Sequence, residues 1–317
     1  MELLEKDDLV IALVDRDEAE DGRLPQSLRK LSPAIDVIRL ADSAKLDDAT
    51  LERLGFVARP EWINWVASVG GSEEEYLLGL SRGERSEVRR ARRFAADRGL
   101  RLEVRTGLSE AFLDEFMDLY EGQIARMPRG RNFARRWTDR LLDSRSELVT
   151  VGAFSGSAMT AGAIWWIREE QSLLQLRFSA SADDGSIRAV RALYAEALQF
   201  ARDSGLRFAS LGNDPALFGH VVQTGLCIFK SRFGFAPIPS EILDDRLWGE
   251  FADRFVSLRA LADPSVVLSW GRHRGAHLTW PQAADSVALQ PYVISAADEV
   301  ASVGRLPAPR RILIPGR

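Results

Sequence analysis

Three strand-like segments followed by a long amphipathic helix constrain the fold of this chain most strongly. The segments are "ELVTVGAFSG", "SAMTAGAIWWI" and "QSLLQLRFSAS", and "SGS" at 155–157 is typical of a hairpin turn. The helix-like run, 186–205, precedes another strand-like run at 206–213. Its apolar face consists of Ile187, Val190, Tyr194, Ala197 and Ala201. This order predicts an α/β fold of the layered α+β kind, with a central mixed sheet flanked by helices.

The sequence pattern divides the chain into three consecutive segments. Residues 1–75 alternate strand-like runs with helix-like runs such as "PQSLRKL" (25–31), and we expect a reduced N-terminal α/β lobe. Residues 76–244 contain the hairpin strands and the long helix, and we expect a full domain there. Residues 245–317 begin with a helix-like run, "LWGEFADRFVSLRALAD", and end in an extension rich in proline and arginine.

Composition excludes several classes of protein. Hydrophobic residues make up 46% and charged residues 28%, which is typical of a globular protein. No run of about 20 apolar residues is present, so we expect no membrane-spanning helix. The first residues lack a signal pattern, which predicts a cytoplasmic location. A single cysteine and the spacing of His220, His273 and His277 do not suit a metal site, and none is expected.

Basic residues concentrate in two places although the net charge is −4. The segment 81–99 predicts a helix with Arg82, Arg85, Arg89, Arg92 and Arg93 along one side. That side is either a solvated face or a track for the phosphates of an anionic donor. The second place is the loop "RMPRGR", where Arg126, Arg129 and Arg131 are candidates for binding an acceptor carboxylate or phosphate.

Lysine is rare enough to draw attention to one position. The 42 basic residues include lysine only at positions 6, 30, 45 and 230, and the other 38 are arginine. Lys230 lies in "GLCIFKSRFGF", next to Phe229 and close to Phe233 and Phe235. It is either a lysine that extends from an aromatic cluster at a strand edge or a functional cation. Cys227 is more typical of a small buried apolar residue than of a nucleophile.

Segments along the chain resemble the GCN5-related acyltransferase (GNAT) superfamily, and more closely its FemABX-like branch. They are "EVRRARRFAADRGL", "FMDLYEGQIAR" and the run from "GNDPALFGHVV" through "GLCIFKSRFGFAP", within roughly residues 75–240. The resemblance implies a GNAT-like fold with a truncated first lobe and a full second lobe. It also implies transfer of an aminoacyl group from aminoacyl-tRNA to the amine of a small molecule or peptide.

The resemblance also implies roles for individual residues. Phe229 and Lys230 match the aromatic–lysine pair that meets the reactive 3′ end of the donor. A lysine ammonium suits the oxyanion that develops on an acyl carbonyl, and Phe229 either stacks on a base or packs in the core. Asp214 and His220 follow the strand 206–213 and are candidates to take the amine proton, whereas Asn213 is a candidate donor-binding residue.

The stretch before the long helix departs from the pattern of coenzyme-A-dependent GNAT enzymes. Those enzymes carry a glycine-rich loop there, which binds a pyrophosphate through backbone amides. This chain has "SASADDGSIRAV", with one glycine and the acidic Asp183 and Asp184, although Arg188 and Arg191 partly offset them. We therefore expect aminoacyl-tRNA as co-substrate and no further cofactor. An acyl-CoA donor and a non-catalytic module for an anionic ligand are the alternatives, and the oligomeric state stays open.

Overall fold

A computed structural model describes residues 2–20, 34–42, 46–127, 130–182, 187–276, 278–286, 289–297 and 302–314. The run predicted as a helix at 25–31, the loop at 183–186, Arg129 and His277 lie outside these residues. The described strands are β1 (Glu2–Lys6), β2 (Leu9–Val14), β3 (Val37–Leu40), β4 (Val57–Pro60), β5 (Trp62–Ser68), β6 (Arg101–Thr106), β7 (Leu148–Ser155), β8 (Ala158–Arg168), β9 (Leu173–Ser181), β10 (Phe208–Pro215), β11 (Leu217–Phe218), β12 (Ala236–Pro239), β13 (Glu250–Phe255), β14 (Ser265–Ser269), β15 (Gln290–Ser295) and β16 (Arg310–Leu313).

The described α-helices are α1 (Arg16–Glu20), α2 (Asp48–Arg53), α3 (Glu73–Leu78), α4 (Arg82–Asp97), α5 (Glu110–Ala125), α6 (Thr138–Asp143), α7 (Ile187–Asp203), α8 (Thr224–Arg232) and α9 (Gln282–Ser286). The chain folds into two compact units. The first unit comprises Met1–Asn64, Asn213–Ser231 and Ala236–Arg317, and the second comprises Trp65–Gly212 and Arg232–Phe235. The division of the chain into three consecutive segments remains a prediction. The compact units are of another kind, because each combines distant parts of the chain.

In the second unit the strands are ordered β5-β10-β9-β8-β7-β6. The pairs β6–β7, β7–β8 and β8–β9 are antiparallel, and the turn between β7 and β8 holds Gly156 at a φ of 62°. Strands β9 and β10 are parallel, which requires a crossover, and α7 provides it. A mixed sheet with helices packed on it confirms the fold class predicted from the sequence.

Helix α7 packs against the sheet through small and aromatic residues. Tyr194, Ala197 and Ala201 are buried, as the sequence predicts, and Val190 is half-buried. Its neighbour α4 meets it at a cluster of alanines, Ala91, Ala95 and Ala192. Short side chains let the two helices approach closely, so α4 is held with one side against the unit and the other toward solvent.

The first unit contains two sheets. One has the order β1-β2-β3-β13-β4, and the other has the order β11-β14-β15-β16. One apolar cluster combines residues of both sheets, including Ile11, Val37, Phe255, Val267 and Ile294. A second cluster joins β2, β3 and β4 to α2 through Val14, Leu51 and Phe56, among others.

Strand β13 corrects one prediction, because the sequence predicts a helix at 247–263. Residues 250–255 pair with β3 and β4 on its two sides, in antiparallel register. The sequence pattern of this segment predicts a helix because its apolar residues also fit a spacing of three and four residues. The alternation of Phe251, Asp253 and Phe255 fits a strand equally well, and pairing on both edges decides between them.

A buried ion cluster fixes β13 in the sheet. Both carboxylate oxygens of Asp253 accept hydrogen bonds from Arg39 of β3, at 2.6 and 2.9 Å, and Oδ2 also accepts one from Arg59 of β4 at 3.0 Å. The ring of Phe251 lies 3.6 Å from the Arg39 guanidinium. Burial alone would raise the pKa of Asp253, but Arg59 and Arg39 outweigh it and hold that pKa below its ordinary value.

We expect Asp253→Asn to lower the free energy of unfolding by roughly 3–5 kcal/mol, because two arginines would lose their buried counter-charge. A depressed pKa in the folded state contributes stability above the unfolded pKa, and this contribution is lost as pH falls. The wild type should therefore lose more stability than the variant between about pH 5 and pH 3. Chemical denaturation over this pH range measures both effects. Asp114→Asn, at an exposed position, is the control, and equal losses in the two variants would contradict the prediction.

Candidate functional site

The parallel pairing of β9 and β10 in the second unit is short. Their pairing covers only Phe208↔Leu173, Ala209↔Leu174 and Ser210↔Gln175, although β9 continues to Ser181 and β10 to Pro215. Gly212 has a φ of 77°, and a Cβ there would lie 2.8 Å from the Leu176 carbonyl oxygen. Only glycine suits this position. The parallel register thus ends at Ser210, while Gly212 keeps β10 close to β9, and ligands commonly bind at the carboxyl ends of parallel strands.

Lys230 forms a buried ion pair in the first unit. Its Nζ donates to Oδ2 of Asp214 at 2.7 Å, and both side chains are more than nine-tenths buried. Lys230 lies on helix α8, and not at the strand edge that one of the two interpretations of the sequence assumes. Cys227, Lys230 and Ser231 are the buried residues of this helix, and their spacing of three and four places them on one face.

The thiol of Cys227 is unreactive in this environment. Burial is the main reason why the pKa of its thiol rises to about 12, and the nearby Asp214 raises that pKa further against the opposing effect of Lys230. Almost no thiolate exists at neutral pH under these conditions. The thiol packs as a small apolar group, in line with the sequence interpretation.

Asn213 is held by two residues that the sequence did not single out. Its Oδ1 accepts a hydrogen bond from Nδ2 of Asn64 and another, at 3.2 Å, from Oγ of Ser240. Asn64 and Ser240 are buried, whereas Asn213 is exposed. Both of these bonds use the oxygen, and the amide group of Asn213 also carries two N–H donors. No local pattern marks Asn64 or Ser240, because their importance comes from the partner and not from their own segments.

His220 and the phenylalanines near Lys230 differ in their burial and their contacts. A ring nitrogen of His220 lies 2.6 Å from the carbonyl oxygen of Asp7, in the turn between β1 and β2. Its catalytic role stays a prediction, and this contact fits a loop histidine bonded to the backbone. Phe229 is half-buried, and its role in donor binding is likewise a prediction. Phe233 and Phe235 are buried and stack with their ring centroids 6.0 Å apart, which makes them core residues.

The arginines of α4 divide into two groups. Arg92 forms ion pairs with Glu73 and with Glu196, and Arg85 donates to the carbonyl oxygen of Leu80 at 2.7 Å. These two arginines therefore hold α4 in the second unit. Arg82, Arg89 and Arg93 are exposed and have no carboxylate partner among the residues that the structure describes. The stripe predicted from the sequence is thus narrower, with three cations toward solvent.

The second basic loop contacts the end of β9. Arg126 donates to the carbonyl oxygen of Ser181 at 3.0 Å, and Gln123 accepts from the amide of Ser181 at 2.8 Å. Arg131 is exposed, and Arg129 lies outside the described residues. These contacts anchor α5 to β9 immediately before the loop at 183–186. Binding of an acceptor by the three arginines stays a prediction.

The structure distinguishes two arginines at the start of α7 by their exposure and their partners. They are Arg188 and Arg191, whose positive charges the sequence sets against the negative charges of Asp183 and Asp184. Arg188 is exposed in the first turn of α7, whereas Arg191 forms an ion pair with Glu87 at 2.9 Å. Among the described residues, no group of three or more histidine, cysteine, aspartate or glutamate side chains could hold a metal ion. The described helices include none that is both long and apolar enough to cross a bilayer.

No protein-family model matches the sequence, and no curated protein does. Among solved structures, FemX is 15% identical over 78% of this chain and 81% of its own, with a TM-score of 0.45. The C-terminal domain of a protein described as a lysylphosphatidylglycerol synthetase, from Agrobacterium fabrum, is 15% identical over 79% of this chain and 78% of its own, with a TM-score of 0.40.

A shorter similarity covers a Desulfovibrio desulfuricans protein that is described as an acetyltransferase of the GNAT family. It is 18% identical over 33% of this chain and 69% of its own, with a TM-score of 0.27. The similar structures thus include the groups that the sequence resemblance names.

We expect Lys230→Met to lower the free energy of unfolding by roughly 3–5 kcal/mol, because Asp214 would keep a buried carboxylate without its cation. The double variant Lys230→Met with Asp214→Leu should recover most of that loss, since two apolar groups of similar size replace the pair. Chemical denaturation of the single and double variants measures the coupling between the two side chains. Additive losses would show that the ion pair is not the interaction that holds this site.

Proposed function

We propose that this protein is an acyltransferase that moves an aminoacyl group from aminoacyl-tRNA to the amine of a small molecule or peptide. The observation that carries the proposal is the buried Lys230–Asp214 pair, directly after Asn213 at the end of β10. A buried lysine is uncommon unless it is paired, and such pairs often belong to functional sites. The sequence resemblance supplies the reaction class.

The proposed reaction forms a C–N bond and breaks a C–O bond. The neutral amine attacks the carbonyl carbon of the aminoacyl ester, and negative charge develops on the carbonyl oxygen. The Lys230 ammonium stabilises this oxyanion, because a compact charge in a buried site acts strongly on it. The tetrahedral intermediate then expels the ribose oxygen, which takes a proton, and the amine nitrogen loses one.

Asp214 has two tasks in this scheme. Its carboxylate compensates the charge of Lys230 and so holds the ammonium in place. It is also the candidate group for the amine proton, since a carboxylate within hydrogen-bond reach of the site can accept it. Asn213 presents an amide nitrogen with two N–H donors, which suits a carbonyl or ribose oxygen of the donor.

The polyanionic donor is supported by α4. Arg82, Arg89 and Arg93 are exposed on one helix and repel one another, which favours an anionic partner. The sequence of the loop at 183–186 gives the same indication, because its two aspartates disfavour a pyrophosphate. An acyl-CoA donor is the second candidate, and the exposed Arg188 in the first turn of α7 favours it, since its positive charge partly offsets the two aspartates.

The donor can be decided by one comparison. We expect turnover with a mixture of charged tRNA and candidate amines, and we expect ribonuclease pretreatment of that mixture to abolish it. Acetyl-CoA should bind no tighter than roughly millimolar, which corresponds to about 4 kcal/mol. Micromolar and saturable binding of acetyl-CoA, with turnover that survives ribonuclease, would instead establish the acyl-CoA candidate.

Lys230→Arg separates chemistry from stability. The guanidinium keeps a positive charge opposite Asp214, so the variant should stay folded, but it places that charge differently from a compact ammonium. We expect a loss of turnover of at least about a hundredfold, as is typical when one oxyanion-stabilising group is lost. Circular dichroism confirms the fold, and Arg246→Lys, at an exposed position, is the control substitution. Wild-type turnover in Lys230→Arg would exclude the proposed role.

A further inference from the structure

The outer strand of the five-stranded sheet in the first unit has one open edge. Strand β1 pairs with β2 in antiparallel register along its whole length, and its other edge pairs with no strand in the described part of the chain. All five residues of β1 are exposed, including Leu3 at 39% and Leu4 at 40%. Proteins commonly protect such an edge with a bulge or a proline. Strand β1 has no proline, and its register with β2 has no bulge.

The hydrogen bonds of β2 show which backbone groups of β1 point to this open edge. Val10 of β2 donates its N–H to Oδ2 of Asp36 at 3.0 Å, and its carbonyl oxygen accepts from the amide of Asp36 at 2.9 Å. The backbone groups of Val10 therefore point away from β1. Glu5 lies opposite Val10 in the register, so its own N–H and C=O point away from β2. Leu3, two residues earlier in the strand, has the same orientation.

The turn that joins β1 to β2 is held by two other segments of the first unit. Asp7 and Asp8 form this turn with φ angles of 59° and 68°, which are typical of tight hairpin turns. A ring nitrogen of His220 lies 2.6 Å from the carbonyl oxygen of Asp7, and Arg259 donates to the carbonyl oxygen of Asp8 at 3.0 Å. The open edge thus belongs to an anchored hairpin, so a strand that pairs with it removes less backbone freedom.

The sequence of β1, "ELLEK", is complementary to itself in antiparallel orientation. When Leu4 lies opposite Leu4 of a second copy, Leu3 lies opposite Glu5, and these two residues exchange backbone hydrogen bonds through their outward groups. Glu2 then lies opposite Lys6 of the second copy, and Lys6 opposite its Glu2. These positions have no backbone bonds between them, so their side chains come closest together.

The neighbouring registers that use the same outward groups fit less well. A register centred on Glu5 places two glutamates opposite each other, and like charges in that position are destabilising. A register centred on Leu3 leaves Lys6 without an opposite residue in β1. Neither Glu2 nor Lys6 has an ion-pair partner among the residues that the structure describes. Both charges are therefore available to a second copy.

We propose that β1 pairs with β1 of a second copy of this chain about a twofold axis at Leu4, so that the two sheets become one. Charge complementarity selects a second copy over an unrelated extended peptide, because the same strand supplies both members of each ion pair. Leu4 lies opposite Ile11, which belongs to the apolar cluster of both sheets, so contact between the two Leu4 side chains adjoins that core. This inference is independent of the proposed function.

Sedimentation velocity of the full chain from about 5 to about 500 µM tests the pairing, since a contact this small is typical of weak association. The wild type should shift from monomer to dimer over this range. Glu2→Lys and Lys6→Glu each place like charges opposite each other twice, so each should weaken dimerisation about tenfold or more. The double variant restores opposite charges and should dimerise nearly as the wild type does. A monomer at every concentration, or a double variant no better than the single ones, would overturn the proposal.

Cross-linking tests the position of the twofold axis. In the proposed pairing the two Leu4 Cα atoms lie about 4.5 Å apart, which suits a disulfide, so Leu4→Cys should form a covalent dimer on mild oxidation. Leu3→Cys is the matched control, because Leu3 is equally exposed but lies about 7–8 Å from its counterpart, too far for a disulfide. Cys227 is buried, so the introduced thiol is the one that reacts. Equal dimer yields in the two variants on a non-reducing gel would contradict the proposed register, and so would no dimer with Leu4→Cys.

Discussion

The ion cluster around Asp253 is the interaction on which the first unit depends. The position between β3 and β4 in its five-stranded sheet is filled by β13, which lies about 190 residues beyond β4 in sequence. Loop closure over such a distance must be offset by strong contacts in the folded state. Asp253 supplies them by accepting from Arg39 on one neighbouring strand and from Arg59 on the other. Backbone pairing alone would leave this register less well defined.

The sequence predicted the second unit better than the first for a physical reason. Hairpin strands and a long amphipathic helix form from neighbouring residues, so their periodicity and turn residues are visible in any short window. Strand β13 pairs with partners far away in sequence, and its residues satisfy a helical spacing as well. A segment with two compatible periods is decided by tertiary contacts, and the sequence shows none of these.

The same distinction separates what could be predicted at the candidate site. Lys230 could be found because lysine is rare in this chain, and Asp214 because it ends a strand. The ion pair between these two residues and the placement of Lys230 on a helix could not be predicted. The hydrogen bonds that Asn213 accepts could not be predicted either, since Asn64 and Ser240 come from other elements. On α4 the helical wheel placed five arginines along one side, and three of them, Arg82, Arg89 and Arg93, are exposed. It could not show that Arg85 and Arg92 are used for packing, because their partners lie on α3 and α7 and in the turn after α3.

The contrast between lysine and arginine in this chain follows from what each buried group requires. The guanidinium groups of Arg39 and Arg59 share both oxygens of Asp253 and lie near the ring of Phe251, so a planar fork meets a planar set of partners. At Lys230 the buried ammonium donates to Oδ2 of Asp214 at 2.7 Å. A compact ammonium on a flexible stem is suited to a contact with one carboxylate oxygen. In a chain whose basic residues are almost all arginine, the geometry at Asp214 is therefore a physical reason for lysine at position 230. The same geometry leaves the ammonium concentrated at one point, as stabilisation of an oxyanion requires.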